Sequence, residues 1–278
     1  MPELPEVRAH AERMTEALGG DVLEAVVPLS FTVLKTFRPP IDAAVGQPLV
    51  AVRTRGKHLL LDFGATTHVV HLMQGGRLRP DPKEAKRPRN GHLRWRFAEG
   101  GAWLLTEAGT EQKAGVWAVE GDPEGQEPLD HLGPEADTVD VAAMTEILAS
   151  HSARIHTLLR DQRVLAGLGR MLANEVCHRA RLSPFAQTKA LGEGEAAALV
   201  TAIHDAVEDA LAAERARDDM SPSAERPSRV HNRMGQPCPE CGDEVRAVEY
   251  RAYTVSYCPT CQTDGKVLAD NTTSKFLK

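Results

Sequence analysis

Apolar side chains recur at helical spacing at the start of the chain. Val7, Ala11, Met14 and Leu18 predict a helix over residues 1–17. From about residue 21 to 120 the period shortens. Residues 22–27, 49–54, 58–63, 68–73, 93–97, 103–106 and 116–119 form short alternating or apolar runs, broken by Gly, Pro and Asp. That texture predicts a β-sandwich or barrel. A stretch rich in Gly, Pro and Glu over 121–136 closes the region, and helical spacing returns beyond it. Met144, Ile147, Leu148, Ile155, Leu158 and Leu159 predict one amphipathic stretch. Met171, Leu172, Val176 and Cys177 predict a second. Leu199, Ala202, Ile203, Ala206, Val207 and Ala210 predict a third, opening after Gly192 and Gly194. Residues 214–229 are charged, bear Ser and Pro and lack a period, which predicts a mobile linker or loop. No internal repeat is visible.

A length of 278 residues allows two domains and a small third. With 42% hydrophobic and 26% charged residues, the composition is that of an ordinary globular protein. No apolar run approaches the roughly 20 residues that span a bilayer. The opening Met-Pro-Glu-Leu-Pro-Glu is acidic and proline-rich, unlike a secretory leader. The expectation is a cytoplasmic monomer with no membrane partner. The net charge of −6 argues mildly against nucleic acid. From Arg226 onward, however, eight Lys/Arg face six Asp/Glu, so the terminal segment is positive against an acidic remainder. Local patches, not the total, set phosphate affinity.

Four of the five cysteines form two Cys-x-x-Cys pairs, Cys238 with Cys241 and Cys258 with Cys261, sixteen residues apart. In a reducing compartment this spacing predicts one structural zinc ion in a four-thiolate shell rather than disulfides. Four thiolates leave no open coordination position, so the metal would not be the catalyst. Cys177 stands alone in a helical apolar pattern and reads as a small buried hydrophobe.

Four motifs occur in order: Met1-Pro2-Glu3-Leu4-Pro5-Glu6-Val7; Arg55-Gly56-Lys57-His58; Leu159-Arg160-Asp161-Gln162 leading into Gly167-Leu168-Gly169; and the paired cysteines ending Tyr257-Cys258-Pro259-Thr260-Cys261-Gln262. Together they resemble the formamidopyrimidine-DNA glycosylase/endonuclease VIII family over nearly the whole chain. The resemblance implies an α+β multidomain fold. Its parts are an N-terminal catalytic β-sandwich with a leading α-helix over 1–130, a helix–two-turn–helix DNA-binding domain over 131–229, and a C-terminal β-hairpin zinc finger with its tail over 230–278. It implies a bifunctional glycosylase/lyase of base excision repair that acts on double-stranded or partly single-stranded damaged DNA and associates with the nucleoid. The alternative is a damaged-DNA-binding protein of the same fold with little or no activity.

The chemistry stands beside the resemblance. Removal of Met1 would expose the secondary amine of Pro2. An α-amino group has a pKa of roughly 7.7–8, so a useful neutral fraction exists at neutral pH. Attack on C1′ of a deoxyribose gives an iminium ion, an electron sink that acidifies C2′ and permits β- or β,δ-elimination. Glu3 is placed for general acid/base work. Pro2 and Glu3 alone would equally suit a plain helix start. The resemblance assigns catalysis to Pro2, Glu3 and Lys57, with Glu6 in support, and gives Lys57 a phosphate contact. Lys57 by itself would also suit a solvated hairpin turn. The residues after Gln162 lead to a helix N-terminus that favours a phosphate.

The chain departs from the family at several DNA-facing positions. Arg170 stands where the family has a phosphate-binding asparagine. Tyr253 stands where the finger has an arginine, with Arg251 close by. Of the residues that fill the hole left by a flipped base, Met73 and Gln74 remain. The second wedge segment reads Glu111-Gln112-Lys113-Ala114-Gly115 and holds no aromatic ring, which leaves Lys113 as its cation. A weaker wedge offsets less of the unstacking cost of a few kcal/mol. The preference expected is for exposed, oxidised, bulky or crosslinked lesions over 8-oxoguanine in duplex DNA.

Overall fold

The computed structural model describes residues 1–109, 111–222, 224–250 and 253–268. The chain divides into two compact units: Met1–Leu132 with Glu214–Ser223, and Gly133–Ala213 with Ala224–Lys278.

In the first unit, α1 (Leu4–Leu18) precedes two four-stranded antiparallel sheets. One is ordered β1 (Leu23–Pro28), β6 (Gly91–Phe97), β7 (Gly101–Glu107), β5 (Gly76–Pro80). The other is ordered β2 (Ala51–Arg55), β3 (His58–Asp62), β4 (Thr66–His71), β8 (Gly115–Glu120). Alternation along the strands builds the core. Leu59 and Leu61 join Val52 and Val70 in one cluster with Leu78, Leu93, Trp95 and Leu105 of the other sheet. Leu60 of β3 joins Val69, Val119 and Leu129 in a separate cluster. A buried polar tie links the sheets: the Trp95 indole donates to His68 Nδ1 at 3.0 Å.

Strand β5 has no counterpart among the predicted runs. Its sequence, Gly-Arg-Leu-Arg-Pro, has one apolar residue, Leu78, between two arginines. Pairing with β7 makes it a strand, in register from Gly76 with Glu107 to Pro80 with Trp103. Strand β4 ends at His71, two residues short of the predicted run, and Met73 takes a left-handed backbone with φ 53°.

Past the helix that ends at Arg215, residues 216–222 form the loop that their composition allows, but the segment from Glu214 is tied down and is not a mobile linker. Met220 is buried in the sandwich core, and the Glu214 carboxylate binds the Ser221 hydroxyl and amide. Arg215 makes a two-point ion pair with Glu12 of α1, at 2.8 and 2.6 Å. Polar composition concealed one buried methionine and a set of specific bonds.

In the second unit, α2 (Val141–Ser150) and α3 (Ile155–Leu158) divide the single amphipathic stretch expected there. His151 caps α2 in extended conformation and Arg154 opens α3 in extended conformation, so the helix cannot run through. After α3 the chain makes two turns organised by Gln162. Its side chain donates to the carbonyls of Arg160 (2.9 Å) and Leu168 (2.8 Å) and accepts from the Gly167 amide (3.0 Å). Helix α4 (Arg170–Arg179) follows, then α5 (Glu193–Arg215), the hairpin β9 (Arg246–Glu249) and β10 (Thr254–Tyr257), and the single turn α6 (Pro259–Gln262). Cys177 is fully buried in α4, and burial pushes its thiol up to about 12.

Candidate functional site

The start of α1 is built around two carboxylates. Pro5 has no amide hydrogen to offer, so the first turn leaves few donors to cap. Glu3 is the N-cap, and its carboxylate accepts from the Glu6 amide while the Glu6 carboxylate accepts from the Glu3 amide at 2.6 Å. Each acid thus fixes the backbone of the other. Pro2 is buried, and Glu3 and Glu6 are only 4% and 1% exposed. Burial of two carboxylates within one turn exceeds what a helix start requires.

Helix α1 packs on β2 and β3, whose two-residue turn carries Lys57. Arg55 pairs with His58, and Gly56 takes φ 54°, the left-handed conformation a tight hairpin needs at its first turn position. Lys57 is 8% exposed and therefore lies against the protein instead of projecting into solvent.

Register then assembles a histidine pair beside Lys57. His58 of β3 is opposite His71 of β4, with ring centroids 4.6 Å apart. His71 Nδ1 lies 2.7 Å from Met73 Sδ, which ties the candidate wedge residue to this pair. Burial, followed by the charge of Lys57, depresses His71 to about 4. Burial, then His71, depresses His58 to about 3, and its Nδ1–H donates to the Arg55 carbonyl at 3.2 Å. Both rings are neutral at physiological pH, so the cation of this cluster is Lys57. Its link to Met73 through His71 was not visible in sequence.

The remaining wedge candidates are peripheral to that cluster. Gln74 is exposed. Lys113 is exposed too and pairs with Glu111 at 3.0 Å, so its charge is already partly compensated. The Glu107 carboxylate, 3% exposed, accepts from the Ala114 amide at 2.6 Å and anchors this loop to β7.

In the second unit, Arg170 is the first residue of α4. Its charge, with that of Arg160, helps hold His156 down at about 3, where burial is the largest cause. Tyr253 stacks beside His156, centroids 6.3 Å apart and planes 12° apart. Tyr253 thus flanks a histidine on which Arg160 and Arg170 act through their charge; Arg160 belongs to the third sequence motif, which gave it no role of its own. Arg251 lies outside the described residues.

The four cysteine sulfurs lie within 4.8 Å of one another. Cys238 Sγ is 3.9 Å from Cys261 Sγ, and Cys241 Sγ is 3.4 Å from Cys258 Sγ. These separations are far beyond a disulfide bond of about 2.05 Å. They bracket the edge of about 3.8 Å that a tetrahedron with 2.3 Å metal–sulfur bonds requires. The cluster therefore suits a metal ion. The first knuckle turns at Gly242 (φ 79°), whose amide donates to the Cys238 carbonyl at 2.9 Å. Helix α4 supports the finger from one face. Its Glu175 accepts from the amides of Arg229, Val230 and His231 at 2.7, 3.0 and 2.9 Å. His178 Nε2, one turn on, lies 3.3 Å from Cys238 Sγ.

Comparison with known proteins places both units. A family profile for the formamidopyrimidine-DNA glycosylase N-terminal domain matches residues 1–109, and the profile for its helix–two-turn–helix domain matches residues 129–220. A formamidopyrimidine-DNA glycosylase of Thiobacillus denitrificans is 30% identical over 272 residues, covering 94% of this chain and 100% of its own length. An uncharacterised glycosylase-like protein of Mycobacterium tuberculosis is 40% identical over 149 residues, 53% of this chain and 94% of its own. Among solved structures, MutM (Fpg) of Thermus thermophilus superposes with a TM-score of 0.80 at 27% identity, covering 94% of this chain and 98% of that one. A MutM complex with DNA containing carbocyclic 8-oxo-G gives 0.83 at 22% identity, with 94% and 100% covered.

Proposed function

The chain belongs to the formamidopyrimidine-DNA glycosylase family, and on that premise we propose that it excises damaged bases through the amine of Pro2 and then nicks the abasic strand. The observation that carries the proposal is the paired, buried carboxylates of Glu3 and Glu6 locking the backbone directly after Pro2. After loss of Met1, the Pro2 nitrogen lone pair forms a bond to C1′ as the glycosidic bond breaks. Glu3 supplies the proton that the departing base or the opening sugar needs. The nitrogen then gives up its own proton, the ring oxygen leaves C1′ and takes a proton, and an iminium ion results. Loss of a C2′ proton pushes an electron pair toward that iminium and expels the 3′ phosphate. Lys57, held against the histidine pair, offers its cation to a phosphate beside the lesion. A zinc ion in the four-thiolate finger would supply folding energy to the hairpin and no chemistry.

Borohydride reduction tests the reading. Incubated with abasic-site DNA, the protein with a free Pro2 is expected to form a covalent adduct, and Pro2→Gly or an N-terminal extension to abolish it. Absence of the adduct in the untagged protein would leave a damaged-DNA-binding protein. A preference for exposed, oxidised, bulky or crosslinked lesions is supported by the segment 111–115, which has no aromatic residue and whose Lys113 is engaged by Glu111. Excision of 8-oxoguanine should be slower from duplex than from single-stranded DNA, and equal rates would refute that preference.

A further inference from the structure

Around α3 and the finger hairpin lies a cationic and aromatic cluster that the chemistry at Pro2 does not use. Tyr250 and Tyr253 stack with ring centroids 4.8 Å apart and planes within 16°. The Arg160 guanidinium lies over the Tyr253 ring, its carbon 4.6 Å from the centroid. Arg154 donates from Nη1 to the Tyr250 hydroxyl at 3.0 Å, and its guanidinium carbon is 5.2 Å from the Phe185 centroid. Two arginines thus gather around two stacked tyrosines, beside His156, whose ring flanks Tyr253.

Among the described residues, no carboxylate lies within 4.0 Å of Arg154 or Arg160. Asp161, next in sequence, turns its Oδ1 to the Arg163 amide at 3.0 Å. Clustered guanidinium groups repel, and in a chain of net charge −6 acids were available to neutralise them. Their rings are half-buried and the arginines retain solvent access. A guanidinium held over an aromatic ring, here with its carbon 4.6 Å from the centroid, has less rotamer freedom left to lose on binding. That geometry suits two-point binding of a phosphate.

We propose that Arg160, lying over Tyr253 and seconded by Arg154 over Phe185, grips the sugar–phosphate backbone of DNA. The aromatic rings act as a platform that orients the cation, and Tyr253 contributes through Arg160. The site rests on the reading of the protein as a DNA enzyme, but it concerns a different part of the chain.

The test is the salt dependence of binding, measured by fluorescence anisotropy on a duplex carrying a stable abasic-site analogue. Arg160→Gln is expected to lower the slope of log affinity against log salt by about 0.9, the loss of one phosphate contact. Arg160→Lys and Tyr253→Leu keep the charge; both are expected to hold the slope while weakening binding. The exchange variant, Arg160→Tyr with Tyr253→Arg, puts the cation on the other partner of the stack and is expected to restore the slope. An unchanged slope in Arg160→Gln overturns the site. If that variant loses the tyrosine signal of the folded finger, the exchange variant decides in its place: a wild-type slope supports the site, a lowered one overturns it. Borohydride trapping by the wild type separates this from the enzyme reading. Trapping with an unchanged Arg160→Gln slope removes only the site, whereas a lowered slope in a protein that never traps removes only the enzyme.

Discussion

The proposed chemistry adds a second duty to the cap that Glu3 makes, and one isosteric change separates the two. Its carboxylate caps α1 through the Glu6 amide, and an amide oxygen can accept the same bond. Only the acid can transfer a proton. Glu3→Gln is therefore expected to fold with little change and to lose base excision by about 10²- to 10⁴-fold. Trapping on preformed abasic DNA should survive far better, because the Pro2 amine is intact. Equal losses in both assays would assign Glu3 to positioning alone. His178 offers a comparable separation at the finger. Its Nε2–H faces the Cys238 sulfur at 3.3 Å, and such outer contacts hold a thiolate in its ligating orientation. His178→Phe should lower metal affinity by about tenfold or more, read as metal transfer to a colorimetric chelator. An unchanged transfer midpoint would make the contact incidental.

At the scale of elements, close backbone approach decides where strands can pair. A Cβ on Gly76 would sit 2.0 Å from the Leu72 carbonyl oxygen, which accepts the Gly76 amide in the turn that starts β5. Gly76→Ala must push one backbone away from another and should cost about 2–3 kcal/mol or more. Gly125, in a one-turn helix with nothing within 4 Å, makes the control: Gly125→Ala should be neutral or slightly stabilising. Thermal denaturation of the two variants checks both expectations. The finger is the opposite kind of element. Its core is Val230, Val245 and two of the cysteines themselves, so small that a metal ion held by the four thiolates would supply much of its folding energy.

For the whole molecule, the aromatic residues divide the optical signals between the two units. The three tryptophans, Trp95, Trp103 and Trp117, are in the first unit, and the three tyrosines, Tyr250, Tyr253 and Tyr257, are in the finger hairpin of the second. Chelation of the metal should change the near-ultraviolet tyrosine signal and leave tryptophan fluorescence in place. The tryptophan signal also follows acid stability. His10, His68 and His71 are held at about 4 and His58 at about 3, each chiefly by burial. Their unfolded value of about 6.5 is higher, so the unfolded chain binds the extra protons. The stabilisation is complete above pH 6.5 and is lost as pH falls from there toward 4, at up to about 1.4 kcal/mol per unit for each histidine. His68 illustrates the cause: its Nδ1 accepts from the Trp95 indole, and a protonated ring has no lone pair to offer there. The tryptophan-reported melting temperature should drop across that window. A flat profile between pH 6.5 and 4.5 would contradict the buried neutral histidines.

The linear chain by itself determined the local features. Periods of 2 and 3.6 marked most strands and helices, the Cys-x-x-Cys spacing marked the four-cysteine cluster, and the break between the runs over 49–54 and 58–63 marked the hairpin turn. Each is set by backbone geometry within a few residues. Strand β5, the break between α2 and α3 and the packing of residues 214–222 were decided by tertiary partners, because a register or a single buried methionine overrides local composition. The same holds for the bond between His178 and Cys238, 60 residues apart, and for the placing of Arg160 on Tyr253. Electrostatic and stacking contacts of this kind depend on where folded elements meet, and no period in the sequence records that.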